Sequence, residues 1–203
     1  MKNLKQLFLL VTISVMSFSC GSDDDGGSDV SGALIYGDTE YELKSGIISN
    51  YGDYYEDGVY NFDISLLSSE FTISDDEVVP DDAIISGVYF ELFTETEGDL
   101  EVGTYSFDSF SFDANTFNDG EVYLNVSVDS LEDETSFEVT SGSFTVLDNG
   151  SSYEFEFEGT LENGQSFSGY YNGSLYAEDY SSEDLDRSAT VSYTNSKRKL
   201  FNN

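Results

Sequence analysis

The chain has 203 residues, of which 41 are Asp or Glu and 7 are Lys or Arg, for a formal net charge of −34 at pH 7; it has no His, no Trp, one Cys and one Pro. Such a charge repels a polyanion and excludes nucleic acid as a partner. The lack of His and the single Cys exclude the usual zinc centres, His-based proton relays, Ser-His-Asp and Cys-His nucleophiles, haem ligation and a disulfide framework.

At the start, Lys2 and Lys5 precede the apolar run LFLLVTISVM at 7–16, which leads into Ser17-Phe18-Ser19-Cys20. A helix needs about 20 apolar residues to cross a bilayer. This run is half that length, with the charged front and small-residue exit of a secretory signal over residues 1–19. Ser17 and Ser19 fit ordinary cleavage, but that route leaves Cys20, the only cysteine, as a bare thiol in an oxidising compartment, whereas a thioether-linked lipid gives it a use.

These residues resemble the bacterial lipoprotein signal, in which the cysteine after the cleavage point receives a diacylglycerol and becomes the mature N-terminus. Gly21-Ser22-Asp23-Asp24-Asp25-Gly26 is similar to the acidic tract that follows the lipid cysteine in surface-displayed Bacteroidota lipoproteins. The resemblance implies lipid attachment, palmitate included, at Cys20, an export signal at Ser22, Asp23, Asp24 and Asp25, and a protein anchored in the outer membrane and exposed on the cell surface. Several acyl chains at about 0.8 kcal/mol per buried CH₂ hold such an anchor firmly. Residues 20–31 then form a Gly/Ser/Asp-rich tether with a reach of about 18 Å.

Residues 32–186 read as strands and turns. Tyr153, Phe155 and Phe157 alternate with Glu154, Glu156 and Glu158, and Val122, Leu124, Val126 and Val128 alternate with Tyr123, Asn125, Ser127 and Asp129, which is the pattern of half-buried strands. Further runs lie at 34–36, 41–48, 59–66, 84–93, 103–110, 137–146 and 167–176. Asp148-Asn149-Gly150 and Glu162-Asn163-Gly164 are hairpin turns in which Asn-Gly takes positive φ. Phe137 and Val139 have the opposite parity to Phe144 and Val146, so a bulge is expected near Ser141-Gly142. The charged stretch around Pro80 is expected to be a loop. The expected fold is all-β, one antiparallel β-sandwich of about nine strands, with a closed β-barrel as the alternative. Residues 187–203 form a basic tail with Arg187, Lys197, Arg198 and Lys199 and no acid, of which 189–193 could add an edge strand.

Three groups carry candidate chemistry. Tyr51, Asp53, Tyr54, Tyr55 and Asp57 set flat apolar rings among carboxylates in a loop at 50–58, the combination a sugar ring requires. Asp113, Asn115, Asn118, Asp119 and Glu121 offer oxygens to Ca²⁺, the one cofactor this composition invites, although Phe117 breaks the EF-hand spacing. Asp129-Ser130-Leu131 resembles the short O-glycosylation signal of Bacteroidota secreted proteins and marks Ser130. No nucleotide-binding or nucleophile-elbow motif is present, and among 41 acids a carboxylate pair has no specificity for glycoside hydrolysis. The expectation is a non-catalytic surface binding or adhesion protein, with glycan or surface proteins as partners. The alternatives are a structural or protective acidic coat protein, and third a carboxylate-based glycoside hydrolase.

Overall fold

The computed structural model describes residues 30–74, 77–128 and 136–182. The signal segment, Cys20, the export tract Ser22 to Asp25, Ser130 and the basic tail lie outside the described residues. The described body contains only strands: β1 (Ser31–Tyr36), β2 (Thr39–Glu42), β3 (Ser45–Glu56), β4 (Val59–Leu67), β5 (Phe71–Ser74), β6 (Glu77–Pro80), β7 (Ile84–Thr94), β8 (Gly103–Phe107), β9 (Thr116–Ser127), β10 (Ser136–Asn149), β11 (Tyr153–Leu161), β12 (Ser166–Gly173) and β13 (Tyr176–Asp179).

The class is all-β, as the alternation indicates, but the architecture differs from a nine-strand antiparallel sandwich. Eleven strands form one mixed sheet in the order β13-β3-β4-β7-β9-β8-β10-β11-β12-β1-β2, curled into a half-barrel, and β5 and β6 form a separate two-stranded sheet. Two pairings are parallel, β13 with β3 and β8 with β9. The curl follows from connectivity. β2 and β3 lie at opposite ends of the order yet only Leu43 and Lys44 separate them, and only Ser174 and Leu175 separate β12 from β13. Links that short bring the two ends of the sheet together. Backbone bonds from Leu43 N to Gly32 O at 2.9 Å and from Lys44 N to Leu67 O at 2.8 Å tie the seam. No ladder joins β2 to β13, so the cylinder stops short of the closed barrel.

The main core fills the concave side. Phe62, Ile64 and Leu66 of β4, Val88, Phe90 and Leu92 of β7, and Phe144, Val146, Phe155, Phe157, Phe167 and Tyr171 across the meander all belong to it. Phe90 sits at its centre, with ring centroids 5.4 Å from Phe117, 4.8 Å from Phe144 and 5.6 Å from Phe157. One curved sheet encloses these rings, so no second sheet is needed to cover them.

In the meander Phe155 and Phe157 are buried, while Glu154, Glu156 and Glu158 face solvent. The bulge expected near Ser141-Gly142 is there, as a register shift between Val139 and Ser141. Gly142 adopts φ +152°, and a Cβ on it would stand 2.2 Å from Glu158 O, so only glycine fits. The Asn-Gly reasoning holds at Gly164, φ +80°, but not at Gly150, whose turn is instead closed by Gly150 N donating to Asp148 Oδ1 at 2.9 Å.

The even alternation read along β9 is interrupted. Asn125 has φ +53° and its N–H donates to Ser86 Oγ at 2.8 Å, where the register with β7 shifts. Val122 and Leu124 before it face the main core, and Val126 after it packs on a second cluster of Ile47, Leu67, Ile85, Tyr89 and Tyr123 on the convex face. A bulge advances the chain by one residue without a partner and so reverses the parity. The stretch around Pro80 is no loop either: β5 and β6 form a hairpin there, with Phe71 and Val78 packed on that second cluster.

Candidate functional site

The tyrosine group lies within strand β3, which runs on to Glu56, and only Asp57 and Gly58 turn. The register with β4 shifts twice, between Asn50 and Gly52 and between Gly52 and Glu56. Gly52 takes φ +66°, and its N–H donates to Asn50 Oδ1 at 2.8 Å. This irregular arm folds the tyrosines over the convex face. Tyr51 stacks on Tyr180 at 5.3 Å, Tyr55 stacks on Phe112 at 4.7 Å and meets Phe93 edge-on at 5.7 Å, and Tyr54 meets Tyr55 edge-on at 5.0 Å. Tyr51 and Tyr55 each spend a ring face on another ring, which leaves Tyr54 as the least committed of the three. Asp53 is half-buried on the arm and Asp57 is exposed at the turn.

Beneath these rings lies a feature that the sequence reading missed. Ser49 of β3, Asp63 of β4, Glu91 of β7 and Asp119 of β9 stand directly opposite one another in consecutive pairs across four strands. Asp63 is 7% exposed and Glu91 6%. The Tyr55 hydroxyl donates to Glu91 Oε1 at 2.9 Å. Asp63 Oδ1 and the Tyr89 hydroxyl are buried without a hydrogen-bond partner of good geometry.

Burial drives the Asp63 carboxyl well above the usual carboxylate range, the Glu91 charge adds to this, and Tyr89 and Asn61 beside it offset part of the rise. Glu91 is pushed up to about 7 by burial, with the Tyr55 bond opposing and Asp119 adding. Two carboxyls side by side out of water do not both ionise. Tyr55 and Tyr51 are themselves raised, by burial first and then by Glu91 and Asp63 respectively. A signal for this row was present. Around Asp63 and Glu91 the segments NFDISLL and VYFELFT are apolar at both parities, so both faces of these strands are covered and an acid there has no way out to water.

The pair also bears on the glycosidase alternative. With Asp63 and Glu91 both more than nine-tenths buried, they offer no surface on which a sugar ring can be laid between an acid and a base.

The candidate calcium ligands are spread out rather than gathered. Asp113 is exposed on the β8–β9 connection, and Asn115, φ +62°, donates its N–H to Phe93 O at 2.8 Å. Asn118 is the extra residue where the β7–β9 register shifts, and it is 4% exposed with Oδ1 unpartnered. Asp119 and Glu121 lie opposite Glu91 and Tyr89, and Glu121 Oε1 accepts from Ser136 Oγ. Among the described residues no three Asp, Glu or Cys side chains come together as a metal site. The bulge at Asn118 and the turn at Asn115 point the five positions in different directions.

The β8–β9 connection also holds Phe110, 94% exposed. The loop is pinned by turns, with Phe110 N donating to Asp108 Oδ1 at 3.2 Å, Asp113 N to Ser111 Oγ at 2.9 Å and Thr116 Oγ1 to Asp113 O at 2.6 Å, and by Phe112 seated between Tyr55 and Phe93. No protein-family model, no curated protein and no solved structure matches the chain.

Proposed function

We propose that the chain is a lipid-anchored protein of the outer-membrane surface that binds rather than catalyses, with glycan as its ligand class. The observation that carries this reading is Phe110. Its ring is 94% exposed on a loop held by its own turns, next to the arm that presents Tyr54. Single exposed apolar residues are ordinary, but this ring stands on a loop that also carries Asp108 and Asp113 and that packs through Phe112 on Tyr55, the neighbour of Tyr54, and a flat apolar face among hydrogen-bond acceptors is the pairing that holds a sugar. Tyr51 and Tyr55, whose ring faces are already stacked, serve as the support.

The test is a glycan array probed with the unlipidated chain. A selective ligand is expected, lost in Phe110→Ala and in Tyr54→Ala and kept in Tyr170→Ala. The exposed row Glu154, Glu156 and Glu158 on β11 favours the second reading, an acidic coat protein that keeps the surface hydrated. Absence of any glycan ligand, with Phe110→Ala indistinguishable from the parent, decides for it.

A further inference from the structure

The register of β3 with β4 jumps from Gly52↔Asn61 to Glu56↔Val59, four residues on β3 against two on β4, so the stretch that carries Tyr54 and Tyr55 bulges out of the ladder. On the other side, the pairing of β3 with β13 ends at Asn50↔Asp179. The chain is pinned as far as Gly52, since Tyr180 N donates to Asn50 O at 2.8 Å and Gly52 N to Asn50 Oδ1 at 2.8 Å. Beyond that point the bulge runs between Gly52, φ +66°, and Gly58, φ +85°, two positions where glycine turns without strain. Side chains hold it down. Tyr55 donates to Glu91 at 2.9 Å, stacks on Phe112 and covers the buried ring of Phe93.

The acid beneath has no cation beside it. Around Glu91 stand Tyr51 and Tyr55 from β3, Asp63 from β4, Asp119 and, one row along, Glu121 from β9, Tyr89 from its own strand, and Tyr180 and Glu178 past Tyr51. Among the described residues the only Lys or Arg is Lys44, 3.9 Å from Asp82. With acids and phenols on every side and the rings keeping water out, the closed site favours the protonated carboxyl. Burial accordingly holds Glu91 up to about 7 against an ordinary 4.5.

We propose that the 53–57 arm is a lid worked by Glu91: it lies closed over the carboxyl pair while Glu91 carries its proton and lifts about Gly52 and Gly58 when that proton is lost. Lifting lets water reach the carboxylate. It gives up the Tyr55 bond and the cover over Phe93, and so opens one local segment rather than the whole fold. Because the closed form binds the proton more tightly than the open one, rising pH shifts the balance toward the open lid. Tyr54 travels with the arm and Phe112 loses a stacked ring. On the reading that Tyr54 and Phe110 hold a glycan, the ligand is therefore kept in acid and released above neutrality; the lid itself does not depend on that reading.

The test uses the full chain made unlipidated by Cys20→Ser, digested with chymotrypsin from pH 5.5 to pH 8, with the cuts mapped by mass. Each rate is divided by that of a free peptide of residues 49–58 at the same pH, which removes the pH dependence of the protease. Normalised cleavage after Tyr54 and Tyr55 is expected to rise roughly 30-fold over this range and to level off above pH 7. In Glu91→Gln, which keeps an acceptor for Tyr55 but cannot ionise, it is expected to stay flat. A flat profile in the parent, or an equal rise in Glu91→Gln, overturns the lid. Cuts after Phe157 and Phe167 of the core that keep pace with those on the arm mean whole-chain unfolding and overturn it too. Should Glu91→Gln fail to fold, the parent's normalised profile and cut map still decide. Loss or retention of a glycan in Phe110→Ala bears on the binding reading alone.

Discussion

Asp63 and Glu91 face each other across β4 and β7 on the convex side of the half-barrel, each more than nine-tenths buried, and Glu91 is held by the Tyr55 hydroxyl at 2.9 Å. The main core lies behind them and a lid of tyrosine rings in front. A pair of this kind keeps a proton in the folded state well above the pH at which a free carboxyl loses it.

The sign of the resulting pH dependence follows. Glu91 titrates near 7 in the folded chain, against an ordinary value of 4.5. Between those values the folded state holds a proton that the unfolded state has released, so stability is highest near the lower value and falls as pH rises through 7. The loss is on the order of 3 kcal/mol. The fall expected between pH 5 and pH 8 comes from this buried pair. Melting curves at pH 5 and pH 8 should show the higher Tm at pH 5, and Glu91→Gln should flatten the difference. A Tm that rises over that interval sinks the assignment.

Tyr55→Phe isolates the bond from the stacking. The ring keeps its contact with Phe112 and Phe93, while Glu91 loses the donor that lowers its pKa. The cost should be about 1–3 kcal/mol at pH 8, where a buried carboxylate is left short of a partner, and smaller at pH 5, where Glu91 is protonated. Equal losses at the two pH values would show that the hydroxyl acts on something else.

In the main core, Phe90→Ala removes the ring that touches Phe117, Phe144 and Phe157. Because these neighbours belong to β9, β10 and β11, the space cannot close by movement of one strand. The expected loss is about 3–5 kcal/mol, read as a shift in the denaturant midpoint at unchanged slope.

Membrane attachment is tested separately. Cys20→Ser should abolish lipid labelling and release the protein from the membrane fraction. Replacing Asp23, Asp24 and Asp25 by Ala should leave it anchored but sheltered from external protease. Retention of the serine variant on membranes would remove the lipoprotein reading.

The strands whose two faces differ were legible. Tyr153 to Leu161 reads as one face in and one out because its outer face is open to water, and the Gly142 bulge showed through the parity of Phe137 against Phe144. The bulges at Asn118 and Asn125 and the irregular arm at Tyr51 were not legible, because a bulge is defined by the partner strand and these residues differ little from ordinary polar strand positions. The hairpin β5–β6 escaped because its strands are four residues each and lie in a stretch dense in acids and holding the one proline. The half-barrel itself depends on the two-residue links 43–44 and 174–175 joining opposite ends of the sheet, a relationship between distant pairings that no local pattern records. Asp63 and Glu91 were passed over because acids are expected on the outside, and the fully apolar surroundings of both were the clue.

The exposed glutamates of β11 give the last prediction, one that the structure weakens relative to the alternation alone. Residues two apart on a strand face lie about 6.6–6.8 Å apart, within a Debye length of about 8 Å at physiological ionic strength, so Glu154, Glu156 and Glu158 repel along the strand. Across strands, however, Glu156 faces Thr145 and Tyr170, Glu158 faces Ser143 and Ser168, and only Glu154 meets another acid, Asp148, with Asn172 on its other side. Neutral neighbours on both sides remove most of the cross-strand penalty that like charges impose. Salt should therefore stabilise the chain between 0.02 M and 0.5 M NaCl, but Glu154→Gln with Asp148→Asn should remove more of that dependence than Glu156→Gln with Glu158→Gln. If the second pair matters as much as the first, the repulsion runs along the strand rather than across it. A Tm indifferent to salt in the parent would mean that the glutamates do not share a solvent-facing row at all.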